Sequence, residues 1–313
     1  MVHARVWRKL PLVPVLFVLL AAMWGTSFVF IKIGLEHFPP VLFAAVRYDV
    51  AGLVMLAYAV FTVDRWRPKG RHEWLSVLIA GAFVIAGYHA LLYLGEQHVS
   101  GAVAAIVVSL APVLTAVFAS VALSEERIRG LGVVGLLFGF IGVVVVADVD
   151  PSSLAGANLA GVGLVFAGAT CFALGSVLSR PLKTTLPART TQAWAMLLGA
   201  GMLHVAGTAR GETFAAVEWT VPTIVSLVYL TFVSGVVAFM LYFHLLDEIG
   251  PTELNLIGYL EPVVATLMSW LLLGELVESS TVVGFAAIFL GFALLKRELL
   301  LDVALSVRTG TRS

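Results

Sequence analysis

The 313-residue chain is 60% hydrophobic and 12% charged, with a mean hydropathy of +1.01. A soluble domain of that composition would expose large apolar patches, so the chain is read as an all-α polytopic membrane protein with the lipid bilayer as its solvent. The 19 Lys and Arg balance 19 Asp and Glu, which suggests no nucleic-acid partner, and the lone Cys171 allows no internal disulfide.

Charged or Pro/Gly-rich breaks divide the sequence into ten apolar runs, most near the ~20 residues that cross a bilayer core. They cover approximately 11–32, 40–61, 74–94, 99–123, 129–147, 158–179, 191–208, 221–244, 252–273 and 279–296. The connections are short, so all chemistry must sit within the spans or at their ends. The first run follows the basic "RVWRKLP", as in a signal peptide, but its apolar stretch continues to Ile33 and is read as a retained helix. Its Lys32 either snorkels to the nearby surface or meets a solute.

The second run carries Arg47 and Asp49. Residues two apart lie about 200° apart on a helix, so each needs a partner on another helix, in an ion pair or in transport. The third run holds Tyr88, His89 and Tyr93; His89 either carries a proton or binds solute, or is an ordinary hydrogen-bonded histidine.

Pro112 in the fourth run and Pro262 in the ninth cannot donate to the carbonyl four residues back. Each marks either a helix break that frees the Val108 or Gly258 oxygen at mid-membrane, or a packing kink. The fifth run contains the small-residue ladder Gly132, Gly135, Gly139 and Gly142, a close-packing surface. The seventh run is short and carries His204 near its end. In the ninth, Glu261 precedes Pro262 at the membrane centre. An isolated charge there is expensive, so Glu261 is expected either to bind a proton or to sit beside a cation. That makes it the leading candidate for proton coupling or for recognition of a substrate amine, with a structural hydrogen bond as the alternative.

The chain repeats itself. Pro112 and Glu125 recur 150 residues later as Pro262 and Glu275, and "VVGLLFGFIG" at 133–142 recurs as "VVGFAAIFLG" at 282–291. More faintly, Trp24 to Lys32 aligns with Phe172 to Arg180. An odd number of spans per copy inverts the second copy in the membrane, the arrangement suited to alternating access. Glu125 and Glu275 are read as caps on the helix that follows each. With a cytoplasmic N-terminus, 16 of the 19 basic residues fall on the inner side and Arg210 is alone in an outer loop, so both termini are expected in the cytoplasm.

Four stretches, "WGTSFVFIK", "VRYDVAG", "LAPVLTAVFASVALSEE" and "LEPVVATLMSWLLLGE", together with the ordered repeats, make residues 12 to 297 resemble the EamA type of the drug/metabolite transporter superfamily. The resemblance implies ten transmembrane helices as two inverted five-helix repeats, 12–147 and 158–297, followed by a cytoplasmic tail, 298–313. It also implies a central cavity lined by the first, third, fourth, sixth, eighth and ninth spans, and a small-molecule substrate such as an amino acid, another metabolite or a drug, often moved outward across the plasma membrane. On those spans Trp24, Tyr88, Phe172, Tyr229, Tyr242 and Tyr259 offer aromatic walls, and Ser27, Ser109, Ser176 and Asn255 offer hydrogen bonds. Packing between helices and back-bonding within them are the alternatives.

No zinc-protease, nucleophile-elbow or aspartate-rich metal motif appears, so no enzyme, metal or cofactor is expected. Rings of like charge or filter loops, as a channel requires, are not seen either. Lys32 and Arg47 alone are too few cations for a multiply anionic solute, and nothing in the pattern speaks to oligomeric state.

Overall fold

A computed structural model describes residues 12–123, 130–146, 157–182, 184–276 and 278–295. Glu125, the 298–313 tail and many of the basic residues used to orient the chain lie outside the described residues. All regular structure among those described is helical. The helices are α1 (Leu12–Leu35), α2 (Pro40–Thr62), α3 (Gly70–Glu96), α4 (Gly101–Ala122), α5 (Gly130–Val146), α6 (Ala157–Leu178), α7 (Ala188–Ala209), α8 (Val221–Gly250), α9 (Ile257–Leu273) and α10 (Ser279–Leu295).

Six of them, α1 to α4, α6 and α8, are long and apolar enough to cross a bilayer by length and composition, and α5, α9 and α10 are shorter apolar helices. The chain is a multi-pass membrane protein. Helix α7 has the length of a span, but Arg189, Thr190, Thr191 and Gln192 in its first turns dilute its hydropathy.

Helix ends are closed by polar groups, as a membrane helix with orphan backbone amides requires. Ser100 Oγ accepts from Val103 N at the start of α4, and Thr220 Oγ1 accepts from Thr223 N at the start of α8. At α2, where Pro40 suits the first turn, Glu212 Oε2 from the α7–α8 connection accepts from Val41 N and Leu42 N at 3.0 and 2.9 Å. At the opposite end of the bundle, Arg65 pairs with Glu73, and Thr190 and Trp194 of α7 donate to the carbonyls of Arg65 and Trp66.

Several helices are irregular in their middles. Helices α3 and α8 each contain a π segment, Ala80–Gly87 and Tyr229–Val237. Helix α4 breaks at Ser109–Leu110, leaving Pro112 in the first turn of its second half, where the missing N–H costs nothing. Pro262 differs, because it lies inside α9. The interruption there comes earlier, at Gly250 (φ 80°) and at the Asn255–Leu256 turn. A mid-span proline thus coincides with a break in one copy and not in the other.

The main helix pairs are α5 with α10, α2 with α7, α1 with α9 and α3 with α6. Small residues let the backbones approach, which is how helices associate where lipid gives no hydrophobic drive. A Cβ on Gly142 of α5 would stand 2.6 Å from Gly284 O, and one on Gly284 of α10 would stand 2.7 Å from Gly142 O. The largest fully buried side chains include Tyr48 and Tyr93, so polar groups occupy the centre of an otherwise apolar core.

Candidate functional site

The polar core begins on α2, where Arg47 and Tyr48 are both buried. Arg47 Nη1 donates to Tyr93 OH on α3 at 2.7 Å, and its guanidinium lies 4.6 Å from the centre of the Tyr48 ring. Its Nε has no partner. Tyr48 OH lies 2.6 Å from His89 Nε2, and His89 Nδ1 lies 2.9 Å from Ile85 O. A carbonyl can only accept, so Nδ1 carries a hydrogen, and a neutral ring accepts the Tyr48 hydroxyl at Nε2. The π segment of α3 ends immediately before Tyr88 and His89.

Asp49 points the other way. It meets His204 Nε2 of α7 at 2.7 Å on a half-exposed flank of the bundle, so Arg47 and Asp49 each have a partner on another helix. His204, near the end of the seventh apolar run, is thus the partner of Asp49.

Aromatic rings form two groups. Tyr88 makes edge contacts with Phe172 of α6 at 5.5 Å and with His89 at 4.5 Å. Between α1 and α8, Trp24 packs against Phe239 and Tyr242 at 5.4 and 5.5 Å, and its indole N–H donates to Ser234 O in the π segment. Ser27 Oγ reaches Ser234 Oγ at 2.8 Å and Met23 O at 2.9 Å. Tyr229 OH donates to Met23 O, and its ring stacks on Phe30 at 4.1 Å.

Glu261 makes no hydrogen bond or ion pair among the described residues. The exposed Val263, Leu267 and Trp270 mark the lipid-facing side of α9. At 100° per residue, Gly258 lies about 140° from Val263 and Glu261 about 160° from it, on the inner side. Nothing stands within 4 Å of where a Gly258 Cβ would be. Glu261 therefore lies one turn from a position where a side chain would meet no neighbouring atom, on the side of α9 away from its exposed apolar residues. The backbone behind it is fixed by α1, since a Cβ on Gly25 would come 2.7 Å from Glu261 O.

The remaining candidates lie elsewhere. Ser109 and Ser176 bond to carbonyls of their own helices, Ile106 O and Phe172 O. Tyr259 turns to α10 and packs on Phe292 at 4.1 Å, while Asn255 is exposed at the turn before α9. Lys32 Nζ donates to Glu96 O at 2.7 Å and Val99 O at 3.0 Å, closing the C-terminal end of α3 where carbonyls lack partners and favour a cation.

Two features have no clear signal in the sequence. The third apolar run stops at 94, yet Glu96 ends α3 wholly buried, with neither carboxylate oxygen hydrogen-bonded among the described residues. Ser234 bridges Trp24 and Ser27 across 207 residues or more, and no local pattern announces it. For Tyr48 a signal existed in its adjacency to Arg47. Glu275 differs from its expected capping role in that its Oε2 is buried without a partner.

Comparison with known proteins adds the wider setting. The model of the EamA-like transporter family matches residues 12–147 and 159–297. An uncharacterized transporter of Archaeoglobus fulgidus is 27% identical over 284 residues, covering 91% of this chain and 98% of that one. The uncharacterized inner membrane transporter YedA of Escherichia coli K12 is 29% identical over 273 residues, covering 87% and 86%. One crystal structure, 22% identical, superposes with a TM-score of 0.64 over 92% of this chain and 98% of its own, a likeness of fold.

Proposed function

The chain belongs to the EamA-like transporter family, and from its membership we propose that this membrane transporter is a secondary exporter of small organic metabolites such as amino acids, working by alternating access. In this reading ten spans form two inverted five-helix repeats, 12–147 and 158–297, around a central cavity. The 298–313 tail and both termini face the cytoplasm of a cell whose plasma membrane holds the protein, and the Lys32 end faces out.

Reciprocal features support the duplication. An offset of 149 residues carries Gly142 to Gly291 and Gly135 to Gly284, and the contacts across α5 and α10 are Gly142 with Gly284 and Gly135 with Gly291. The π segments of α3 and α8 begin 149 residues apart. Two halves with matched irregularities can exchange conformations, which is what opening alternately to each side demands.

The observation that carries the transport reading is the unpartnered Glu261 carboxyl beside open space at Gly258, opposite the lipid face of α9. A carboxyl kept there without a cation is one that binds a proton or a substrate ammonium in the cycle. Proteoliposomes loaded with a mixed pool of labelled amino acids and small metabolites, assayed with and without a pH gradient, test this against Glu261→Gln. Saturable counterflow that loses its pH dependence in the variant is expected. Transport equally pH-sensitive in the variant would make Glu261 structural. Failure of every pooled solute would favour a carrier of lipophilic drugs, the reading that the Trp24, Phe239 and Tyr242 cluster supports.

A further inference from the structure

A cavity of about 400 Å³ opens at the Lys32 end, between α1, the α3–α4 turn, α5, α6 and the α9–α10 turn. That volume is in the range of small-molecule sites. Its polar lining among the described residues is Lys32, His98, Ser100, Ser269, Glu275, Glu278 and Thr281. We propose that this cavity is an ammonium-binding subsite, with Ser269 Oγ and the Glu275 carboxylate as acceptors for a primary amine. The proposal rests on the transporter reading above and adds the chemical class of the solute and a second station for it, away from Glu261.

The backbone brings the two acceptors together. Helix α9 closes through Gly274 in the left-handed conformation (φ 69°), with Gly274 N donating to Trp270 O at 3.1 Å and Glu275 N donating to Ser269 O at 3.3 Å. That closure ties the backbone of Glu275 to that of Ser269. Ser269 is fully buried, yet its Oγ has no partner among the described residues, and Glu275 Oε2 is likewise buried and unpartnered among them. Orphaned acceptors in a cavity wall are costly unless a ligand or solvent supplies donors.

The charges select the ligand. Lys32 is the lining residue with a permanent positive charge among those described, and two of its three N–H groups are spent on Glu96 O and Val99 O. Glu275 and Glu278 line the same cavity, and the carboxyl of Glu96 is buried at the α3 end that Lys32 closes. An anion would meet two carboxylates against the remaining Lys32 N–H, the His98 ring and the hydroxyls of Ser100 and Thr281. An ammonium brings three donors to two orphaned acceptors, and a carboxylate on the same molecule, as in an amino acid, has the remaining Lys32 N–H.

Equilibrium binding of labelled phenethylamine to the purified full chain in lipid nanodiscs tests this, with phenylalanine and phenylacetate as competitors. Saturable binding is expected in the wild type, with displacement by phenylalanine and none by phenylacetate. Loss of a charge-assisted hydrogen bond should weaken binding roughly tenfold or more in Glu275→Gln. The smaller Ser269→Ala should also weaken it and decides the matter if Glu275→Gln does not fold. Absence of saturable binding in the wild type, unchanged affinity in a folded Glu275→Gln or in Ser269→Ala, or equal displacement by phenylacetate would overturn the proposal. Because the readout is binding, amine binding without counterflow of any pooled metabolite would sink the metabolite-exporter reading and leave the subsite standing.

Discussion

Replacing Gly25 by alanine adds one methyl group where α1 crosses α9 behind Glu261. The new Cβ would lie 2.6 Å from Val264 Cβ and 2.7 Å from Glu261 O. Carbon atoms pack at about 3.5–4.0 Å, so the helices must separate by about 1 Å or distort. Both obstructing atoms are fixed, one being backbone and the other a β-branched Cβ, and neither can swing aside as a flexible side-chain tip would. Overpacking of this kind costs about 1–3 kcal/mol. The matched control is Gly163→Ala in α6, where nothing stands within 4 Å and the same change should gain up to about 1 kcal/mol from helix propensity. Thermal unfolding in one lipid or detergent should therefore rank Gly163→Ala at or above wild type and Gly25→Ala several degrees below. A Gly25→Ala protein melting with Gly163→Ala would refute the claim that contact at Gly25 sets the α1–α9 distance. Counterflow should fall further in Gly25→Ala than stability alone predicts, since the displaced backbone is that of Glu261.

Other substitutions probe the rest of the site. Gly258→Leu should leave unfolding nearly unchanged, because the position opens on space, yet reduce counterflow roughly tenfold or more if that space is the solute path. Tyr48→Phe removes the hydroxyl facing His89 Nε2 and should lower stability by about 1–3 kcal/mol, the cost of an orphaned buried acceptor; a thermal midpoint equal to wild type would mean that water replaces the hydroxyl. Lys32→Met removes the donor to Glu96 O and Val99 O, so amide exchange should accelerate at the C-terminal end of α3 and at Val99, and unchanged protection there would deny Lys32 its capping role.

Much of the architecture follows from solvent and chain alone. Lipid offers backbone groups no hydrogen bonds, so apolar runs of span length had to become helices, and composition together with the breaks located them. The repeated proline, glutamate and glycine positions were visible as offsets. The limits of helices were less so. Helix α3 continues past its last apolar residue to Glu96, because a helix end is set by where its carbonyls find partners, here Lys32, and not by hydropathy.

What only the tertiary structure decided is which polar groups meet. Arg47 and Asp49 were both expected to need partners, but that Tyr93 and His204 fill those roles depends on which face of α2 each helix covers. Two prolines in matching positions behave differently, since proline fits the first turn of a new segment as in α4, and can also be carried inside a helix held by its neighbours, as in α9. Glu261 was notable from sequence for its charge alone. The open space at Gly258, the fixed backbone at Gly25 and the orphaned acceptors at Ser269 and Glu275 arise from side chains and backbone far apart in the chain. Periodicity tells a residue which side of its own helix it occupies, and packing tells it what stands opposite.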